Sequence, residues 1–565
     1  MEIKVDNLNQ TLLEETFYVL SKKNCVFRVR LTRNGLCLVK ESEKNIKEQI
    51  IPIRDIVGCR CLRSKKQPKG CTCQSIPHSS SLEVVEDTSG ELDDSDISAY
   101  LYVYAYIFQI SKSSHKRRER TIITLRFRSF DRYEDNHKEA QKWRMYIKKL
   151  IKGDNVANIL PITSNNQKED KRLLILCNPK SGAGKGKQIF QQKVVPILQE
   201  AEISYDLHMT KHANFARGIL EWHCGVINGI FERWDWKEAI KSVPIGVIPG
   251  GSGNGLARSI AHHCSEPYLP SPTLPSALAA VRNNFAPMDL VRVETTPQIM
   301  FSFLSVGWGL LSDIDIESER LRMLGGQRFT VWSVARLIGL RSYGGKLWYL
   351  PTDVPLTIPK EHFSYQSNPG SNLDLPAEVH LETQTGRERV DSWYSANSRK
   401  SMYFSATGSS YQSTTDSLIG DSSHGRDRPV VHGPASQIPC LTAPLPTSWK
   451  CISGRFVMVH ASYQSHLGED CLFAPEARLN DGKIWLLIVR AGATRSQLLH
   501  FLLGLSTGAH ASTQTEAPIE LIPVNAFRIE PDMTESGYMT VDGEHVQYGC
   551  IQAEIFPELG RVMVP

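Results

Sequence analysis

The stretch Leu173-Leu-Ile-Leu-Cys-Asn-Pro-Lys-Ser-Gly-Ala-Gly-Lys-Gly-Lys187 decides how this chain folds. Leu173 to Cys177 is an apolar run whose length predicts one fully buried strand. It stops at Asn178-Pro179, and three glycines and three lysines follow. The pattern Gln188-Ile-Phe-Gln-Gln-Lys-Val-Val-Pro-Ile-Leu-Gln-Glu200 then predicts a helix. Strand, glycine loop and helix together hold a phosphate. Glycines let the backbone come close, the first helical amides point at the anion, and lysines add charge. The loop has neither the Gly-Lys-[Ser/Thr] ending of a Walker A loop nor the spacing of a dinucleotide fingerprint. Taken alone it also fits an ordinary strand-to-helix turn.

A second loop weighs against that plain reading. Val243-Pro-Ile-Gly-Val-Ile-Pro-Gly-Gly-Ser-Gly-Asn-Gly-Leu-Ala257 is again an apolar run ending in glycines and a hydroxyl, Ser252, before a helical pattern. On neighbouring strands of one parallel sheet, the two loops would face the same crevice at the strands' carboxyl ends. The pair, Asn-Pro-x-x-Gly-x-Gly and then Pro-Gly-Gly-Ser-Gly-Asn, resembles the catalytic domain shared by diacylglycerol, ceramide and sphingosine kinases. The resemblance implies that Asn178, Pro179, Lys180, Gly182, Gly184 and Lys185 bind ATP with its Mg2+. Gly251, Ser252 and Gly253 of the second loop, and Thr210, Lys211, His212 and Asn214 between the loops, carry the same implication.

The chain has 565 residues, room for two to four domains, with a net charge of +5 and 41% apolar residues. That balance is ordinary for a soluble globular protein and does not suggest a nucleic-acid binder. The N-terminus carries no basic-then-apolar signal, and no window reaches the apolar length of a membrane span. Thirteen cysteines, many inside apolar runs, fit reduced thiols in the cytosol. A cytoplasmic protein with peripheral membrane contact is expected.

Residues 1–155 are expected to form a β-rich module. Thr16–Leu20, Cys25–Leu31, Gly35–Lys40, Tyr100–Phe108 and Thr121–Phe127 carry strand patterns. A closing helix over Asn136–Ile151 has Ala140, Trp143, Tyr146, Ile147, Leu150 and Ile151 as its apolar stripe. Strands followed by one tryptophan-bearing helix look like a pleckstrin-homology-type domain, which ceramide kinases carry ahead of their catalytic part. The basic stretch Ser114-His-Lys-Arg-Arg-Glu-Arg120 fits a solvated hairpin loop or a contact with anionic lipid headgroups. Cys59, Cys61, Cys71 and Cys73 form two close pairs, but with Cys-x-Cys spacing and not the Cys-x-x-Cys of most zinc sites. Residues 156–170 are a polar linker.

An α/β ATP-binding domain is expected over 171–285, and a β-rich, sandwich-like lipid-substrate domain over 286–360 and 448–565. Residues 361–447 turn abruptly polar and predict a disordered, phosphorylatable insert. Met300–Phe329 resembles sphingosine kinases in particular. The resemblance assigns Asp315 to the polar head of the amino alcohol, for which a carboxylate at the mouth of an apolar channel is the natural partner. It assigns Arg322 and Arg328 to the nucleotide phosphates, where a planar donor fork suits growing charge. A surface helix with ion pairs such as Glu319 with Arg322 is the plain alternative. Phe329–Tyr343 reads as a buried helix; sphingosine kinases have here a basic amphipathic stretch linked to calmodulin-type partners and membranes. Thr494 is expected to cap a helix running to Leu505. Asp542, Gly543 and Glu544 correspond to a family loop near nucleotide and metal, although Asp-Gly alone signals a hairpin turn.

One departure stands out. The family carries a Gly-Asp-Gly motif on the strand between the two loops, and its Asp is taken to deprotonate the lipid hydroxyl that attacks the γ-phosphate. Here Thr210 and Ala216-Arg217 match, and so does the helix Val226–Arg233, but only Gly218-Ile-Leu-Glu-Trp-His-Cys224 stands between them. That is too short for the rest of a helix, a strand and a loop. Glu221 and Asp235 have the wrong context, so no catalytic base is assigned. Three readings follow: a sphingosine kinase, a kinase-derived binding protein without catalysis, or a ceramide or diacylglycerol kinase. The Asp315 context argues against the last.

Overall fold

A computed structural model describes residues 10–19, 25–40, 47–64, 84–85, 96–110, 116–153, 172–179, 182, 184–210, 225–324, 327–354, 432–513 and 518–565. They belong to one compact unit, Met1–Leu356 with Arg428–Pro565; a second unit, Thr357–Asp427, lies outside them. No described helix is long and apolar enough to cross a membrane.

The N-terminal strands are β1 (Thr11–Val19), β2 (Cys25–Thr32), β3 (Gly35–Lys40), β4 (Lys47–Pro52), β5 (Ile56–Ser64), β6 (Val84–Val85), β7 (Ala99–Ile110) and β8 (Lys116–Phe127). They form an antiparallel sheet in the order β4-β3-β2-β1-β8-β7-β5-β6. Alternation along each strand turns Val29, Leu31, Leu101, Val103, Ile123 and Leu125 inward. The helix Tyr133–Lys152 closes this core with the expected stripe and ends at Gly153 in the left-handed conformation. Trp143 anchors it, its ring 5.2 Å from Phe17 and 6.3 Å from Phe127. Cys59 is fully buried in the same core, and burial pushes its thiol up to about 12. Cys71 and Cys73 lie outside the described residues.

From Lys116 on, the basic stretch is strand and not loop, with Lys116, Arg117 and Arg120 still exposed. It opens β8, and its arginines at 118 and 120 turn toward the rest of the chain. Arg118 donates to Asp55 at 2.8 Å and to both oxygens of Glu266, at 2.7 and 2.5 Å. Arg282 completes this buried cluster of two cations and two carboxylates. Arg120 and Tyr106 both donate to Glu200, at 2.7 and 2.9 Å. Beneath these pairs, Val57, Tyr104 and Tyr106 share one apolar cluster with Phe190, Ile197, Leu198 and Leu278. Gly58 permits the approach, since a Cβ there would stand 2.1 Å from the Glu200 carbonyl oxygen.

Next come β9 (Leu173–Cys177) and β10 (Tyr205–Met209), a parallel pair joined by helical segments Gly186–Ile189 and Val195–Glu200. The prediction of a fully buried strand at 173–177 fails: Leu174 is 49% exposed. Among the described residues β9 pairs only with β10. The run Val243–Pro249, expected as a neighbouring strand, makes only an isolated parallel bridge, Ile245 to Val562.

The C-terminal half contributes β11 (Asn284–Thr295), β12 (Ile299–Ser302), β13 (Ser305–Gly309), β14 (Tyr343–Pro351), β15 (Lys450–Ser462), β16 (His466–Gly468), β17 (Cys471–Leu472), β18 (Ile484–Arg490), β19 (Ile519–Pro531), β20 (Met539–Val541), β21 (Glu544–Val546) and β22 (Ile551–Val564). All but β16 and β17 join one sheet. Its long strands change partner midway. β15 pairs with β14 and then β18, and β19 pairs with β18 and then β14. The sheet thereby curls around Trp308, Leu347, Phe456, Val459, Leu486 and Phe527. Its outer face carries a second apolar layer beneath the helices Leu310–Ser318, Gln327–Ile338 and Arg495–Gly504. The last begins with the expected cap, a reciprocal pair between Thr494 and Gln497.

Two further expectations are corrected. The insert does not run to 447, because Ile438 and Leu445 pack with Trp449, Leu350 and Ala526. The buried Arg528 needs acceptors and finds them in the carbonyls of Ala443 and Cys440, at 2.8 and 2.9 Å. The helix Gln327–Ile338 is not buried all round either. Phe329, Trp332 and Leu337 pack inward, whereas Val331, Val334 and Ile338 are 51%, 54% and 74% exposed.

Replacing Arg118 by Ala leaves the buried Asp55 and Glu266 with Arg282 alone, and we expect a loss of about 3 kcal/mol in chemical denaturation. Replacing the exposed Arg117 should cost no more than about 0.5 kcal/mol.

Candidate functional site

The two glycine loops meet backbone to backbone. A Cβ on Gly182 would stand 3.0 Å from the Gly250 carbonyl oxygen, and Gly182 and Gly184 both have positive φ, at 56° and 76°. Side chains are therefore excluded from the cradle that the loops form. The hydrogen bond from the Thr210 amide to the Cys177 carbonyl, 2.9 Å, holds the end of β10 beside the first loop. Sequence reasoning missed what fixes the second loop. Asn254, itself at φ 56°, accepts from the Gly251 amide at 2.9 Å and donates to the Gly251 carbonyl at 3.0 Å and to Glu469 at 2.8 Å. Gly255 then opens the helix Gly255–His263 against the Leu467 carbonyl, where a Cβ would stand at 2.6 Å. Asn before Gly at the end of the motif was the available signal.

Arg328 ties this loop to the C-terminal domain. Its Nη2 lies 3.3 Å from the Ser252 hydroxyl and donates to Asp315 at 3.2 Å. Its guanidinium stacks on Phe329, 4.3 Å from the ring centroid, and the side chain is 5% exposed. Asp315 is more open, at 28%, and its Oδ2 faces Gly543. A Cβ on Gly543, which has φ 80°, would approach that oxygen to 3.3 Å. Ser252, Arg328, Asp315 and Gly543 thus converge from three separate parts of the chain.

Asp542 has a different task. Its carboxylate accepts from the Leu304, Ser305 and Phe303 amides at 2.9, 3.0 and 3.2 Å and from the Ser302 hydroxyl at 2.6 Å. With φ 52°, it also begins the two-residue turn between β20 and β21. The carboxylate is occupied in fastening that turn to the β12–β13 bend, while Glu544 is exposed on the rim. Among the described residues no cluster of three or more His, Cys, Asp or Glu side chains is placed to hold a metal ion.

The segment around Asp315 is braced from below. Glu317 accepts from Trp332 Nε1 at 2.9 Å and from Arg336 Nε at 2.6 Å, which locks the helix bearing Arg328 onto the helix bearing Asp315. Asp313 points the other way, into the core, where Tyr343 donates to it at 2.6 Å. Burial pushes its carboxyl up to about 6. Lys180, Lys211, His212, Asn214, Glu221 and the Arg322 side chain lie outside the described residues. Asp235 is spent on an ion pair with Arg233 beside it.

Residues 172–293 match the diacylglycerol kinase catalytic domain. Human sphingosine kinase 2 is 30% identical, over 95% of this chain and 88% of its own length. Human sphingosine kinase 1 is 31% identical, over 68% of this chain and 89% of its own. The chain belongs to the sphingosine kinase family. A solved diacylglycerol kinase structure from Bacillus anthracis, 12% identical over 70% of this chain and 97% of its own, has a TM-score of 0.34, too low to add to the argument. This lipid kinase therefore keeps two glycine loops and an arginine–carboxylate bridge, while the interior strand expected between its loops has no counterpart among the described residues.

Two outcomes follow. Asn254→Ala should weaken ATP binding about tenfold in a fluorescent-nucleotide titration, because the second loop loses its clamp. For Asp313, a folded pKa raised above the unfolded value means stability present at low pH and lost as pH rises from about 4 to about 6. Asp313→Asn should match the parent at pH 4 and exceed it by roughly 2–3 kcal/mol at pH 8 in urea unfolding.

Proposed function

We propose that this chain is an ATP-dependent kinase of sphingoid bases, acting on the primary hydroxyl of sphingosine to give sphingosine 1-phosphate. The observation that carries the reading is the Arg328 bridge between Ser252 of the phosphate-type loop and Asp315. The phosphates of Mg-ATP bind the loop amides and the Arg328 fork, with Mg2+ entering on the nucleotide as part of the substrate. The ammonium and hydroxyls of the base bind Asp315, and the hydrocarbon chain runs into the apolar layer beneath, which includes Leu310, Ile314, Leu487 and Phe501. Without ligands the two charges neutralise each other; substrates of opposite sign replace that pair with two better ones. In the reaction the lipid oxygen bonds to the γ-phosphorus, the bond to the ADP oxygen breaks, and the hydroxyl proton passes to solvent. Positioning and charge supply most of the rate in such transfers.

A second reading rests on β9, which among the described residues has one strand neighbour where an interior strand would have two. In it the chain binds nucleotide and base without appreciable transfer. Peripheral membrane association through the exposed Val331, Val334 and Ile338 fits either reading, with anionic headgroups near Arg341; a calmodulin-type partner would use the same face.

Transfer of labelled phosphate from ATP to sphingosine by this chain tests the first reading, beside a version carrying a Gly-Asp-Gly strand between the loops. Turnover by both supports the first reading; turnover by the restored version alone supports the second. Asp315→Ala should abolish retention of sphingosine in either case, and retention unchanged by it would overturn the site itself.

A further inference from the structure

The apolar layer beneath Asp315 contains a polar group that the chemistry above does not use. His460 lies on β15, opposite Gly307 of β13 and Leu487 of β18, and is 6% exposed. Its ring sits 5.2 Å from Phe473, which packs in the same layer as Met458, Leu487, Leu498 and Phe501. Among the described residues neither of its ring nitrogens has a hydrogen-bond partner. Burial depresses its basicity to about 4, so the ring is neutral and presents one donor and one acceptor.

Such a group is costly in an apolar layer, and most buried polar side chains are satisfied. Its position is not accidental packing at a margin. A Cβ on Gly307 would stand 2.7 Å from Nδ1 of His460 and 2.5 Å from the Ser312 hydroxyl, so histidine and serine flank the same glycine. Ser312 in turn meets the Thr540 hydroxyl at 2.9 Å and so already has its partner. Asp315 follows Ser312 by three residues, one turn of the same helix, about 5 Å along its axis. A chain whose amino head sits on Asp315 would pass His460 within its first several carbons.

We propose that His460 recognises a hydroxyl on the hydrocarbon chain of the lipid, just beyond the amino-alcohol head, so that the site prefers chain-hydroxylated bases. This rests on the sphingoid-base reading of the site. A plain chain leaves both ring nitrogens unpaired when it displaces solvent; a hydroxyl, donor and acceptor at once, pairs with one of them. Sites built to bond a hydroxyl discriminate strongly against the analogue that lacks it.

The test is equilibrium binding of radiolabelled 4-hydroxysphinganine and sphinganine, which differ by one hydroxyl, to the full chain in mixed micelles. The parent should hold the hydroxylated base about tenfold more tightly. His460→Leu should erase that preference by weakening the hydroxylated base alone, and with no unpaired nitrogen it should melt no lower than the parent. His460→Gln, which keeps a donor and an acceptor, should retain part of the preference. Asp315→Ala should weaken both bases alike. Equal binding of the two bases by the parent, or equal losses of both in His460→Leu, would overturn the proposal while leaving the site intact. Failure of the parent to bind either base would overturn the site reading and this inference with it.

Discussion

The site depends on one guanidinium. Arg328 is buried, stacked on its neighbouring ring, and shared between a serine of the second glycine loop and the carboxylate of Asp315. A buried arginine cannot shed its charge, so it must be met by acceptors, and those acceptors come from two different halves of the fold. The interaction therefore couples the second glycine loop to the helix that carries Asp315. Glu317 makes the coupling rigid by fastening the helix of Arg328 to the helix of Asp315 through Trp332 and Arg336.

The N-terminal module belongs to this arrangement and is no loose appendage. Its core is its own, but Tyr104, Tyr106 and Val57 help to bury the helical segment that follows the first glycine loop. Around them, Arg118 and Arg120 are neutralised by Glu266 and Glu200 of the catalytic part. The buried Arg118 cluster gains little over a hydrophobic junction in stability, yet it fixes register, because any slide would leave carboxylates unpaired. The first glycine loop is thus held from below by the module and from above by the second loop.

The weak point is the parallel sheet. An interior strand of such a sheet is normally hydrogen-bonded on both edges and covered on both faces. Here Leu174 is half exposed, and the run 243–249 contributes one bridge to β22 and no ladder. The loops still reach each other, because their meeting depends on glycine contacts and on Asn254 more than on strand pairing. Ser252, Arg328 and Asp315 still converge, because their contact does not pass through the sheet.

The sequence by itself determined the local chemistry. Glycines at fixed offsets marked both loops, with lysines in the first, and alternation marked the strands of the N-terminal module. Thr494 announced a helix start, and Asp315 with Arg328 came from the family resemblance. These are short-range facts, set by backbone freedom, periodicity and capping, and a linear reading reaches them. Only the tertiary structure decided which charges were free. Arg118 looked solvated until Asp55 and Glu266, the latter far along the chain, closed on it. Asp542 looked like a nucleotide contact until four donors from 302–305 closed on it. His460 sat in a strand like any other residue, and only the folded layer left its nitrogens without partners. Burial and pairing depend on residues distant in sequence, so the spacing of a motif carries no record of them.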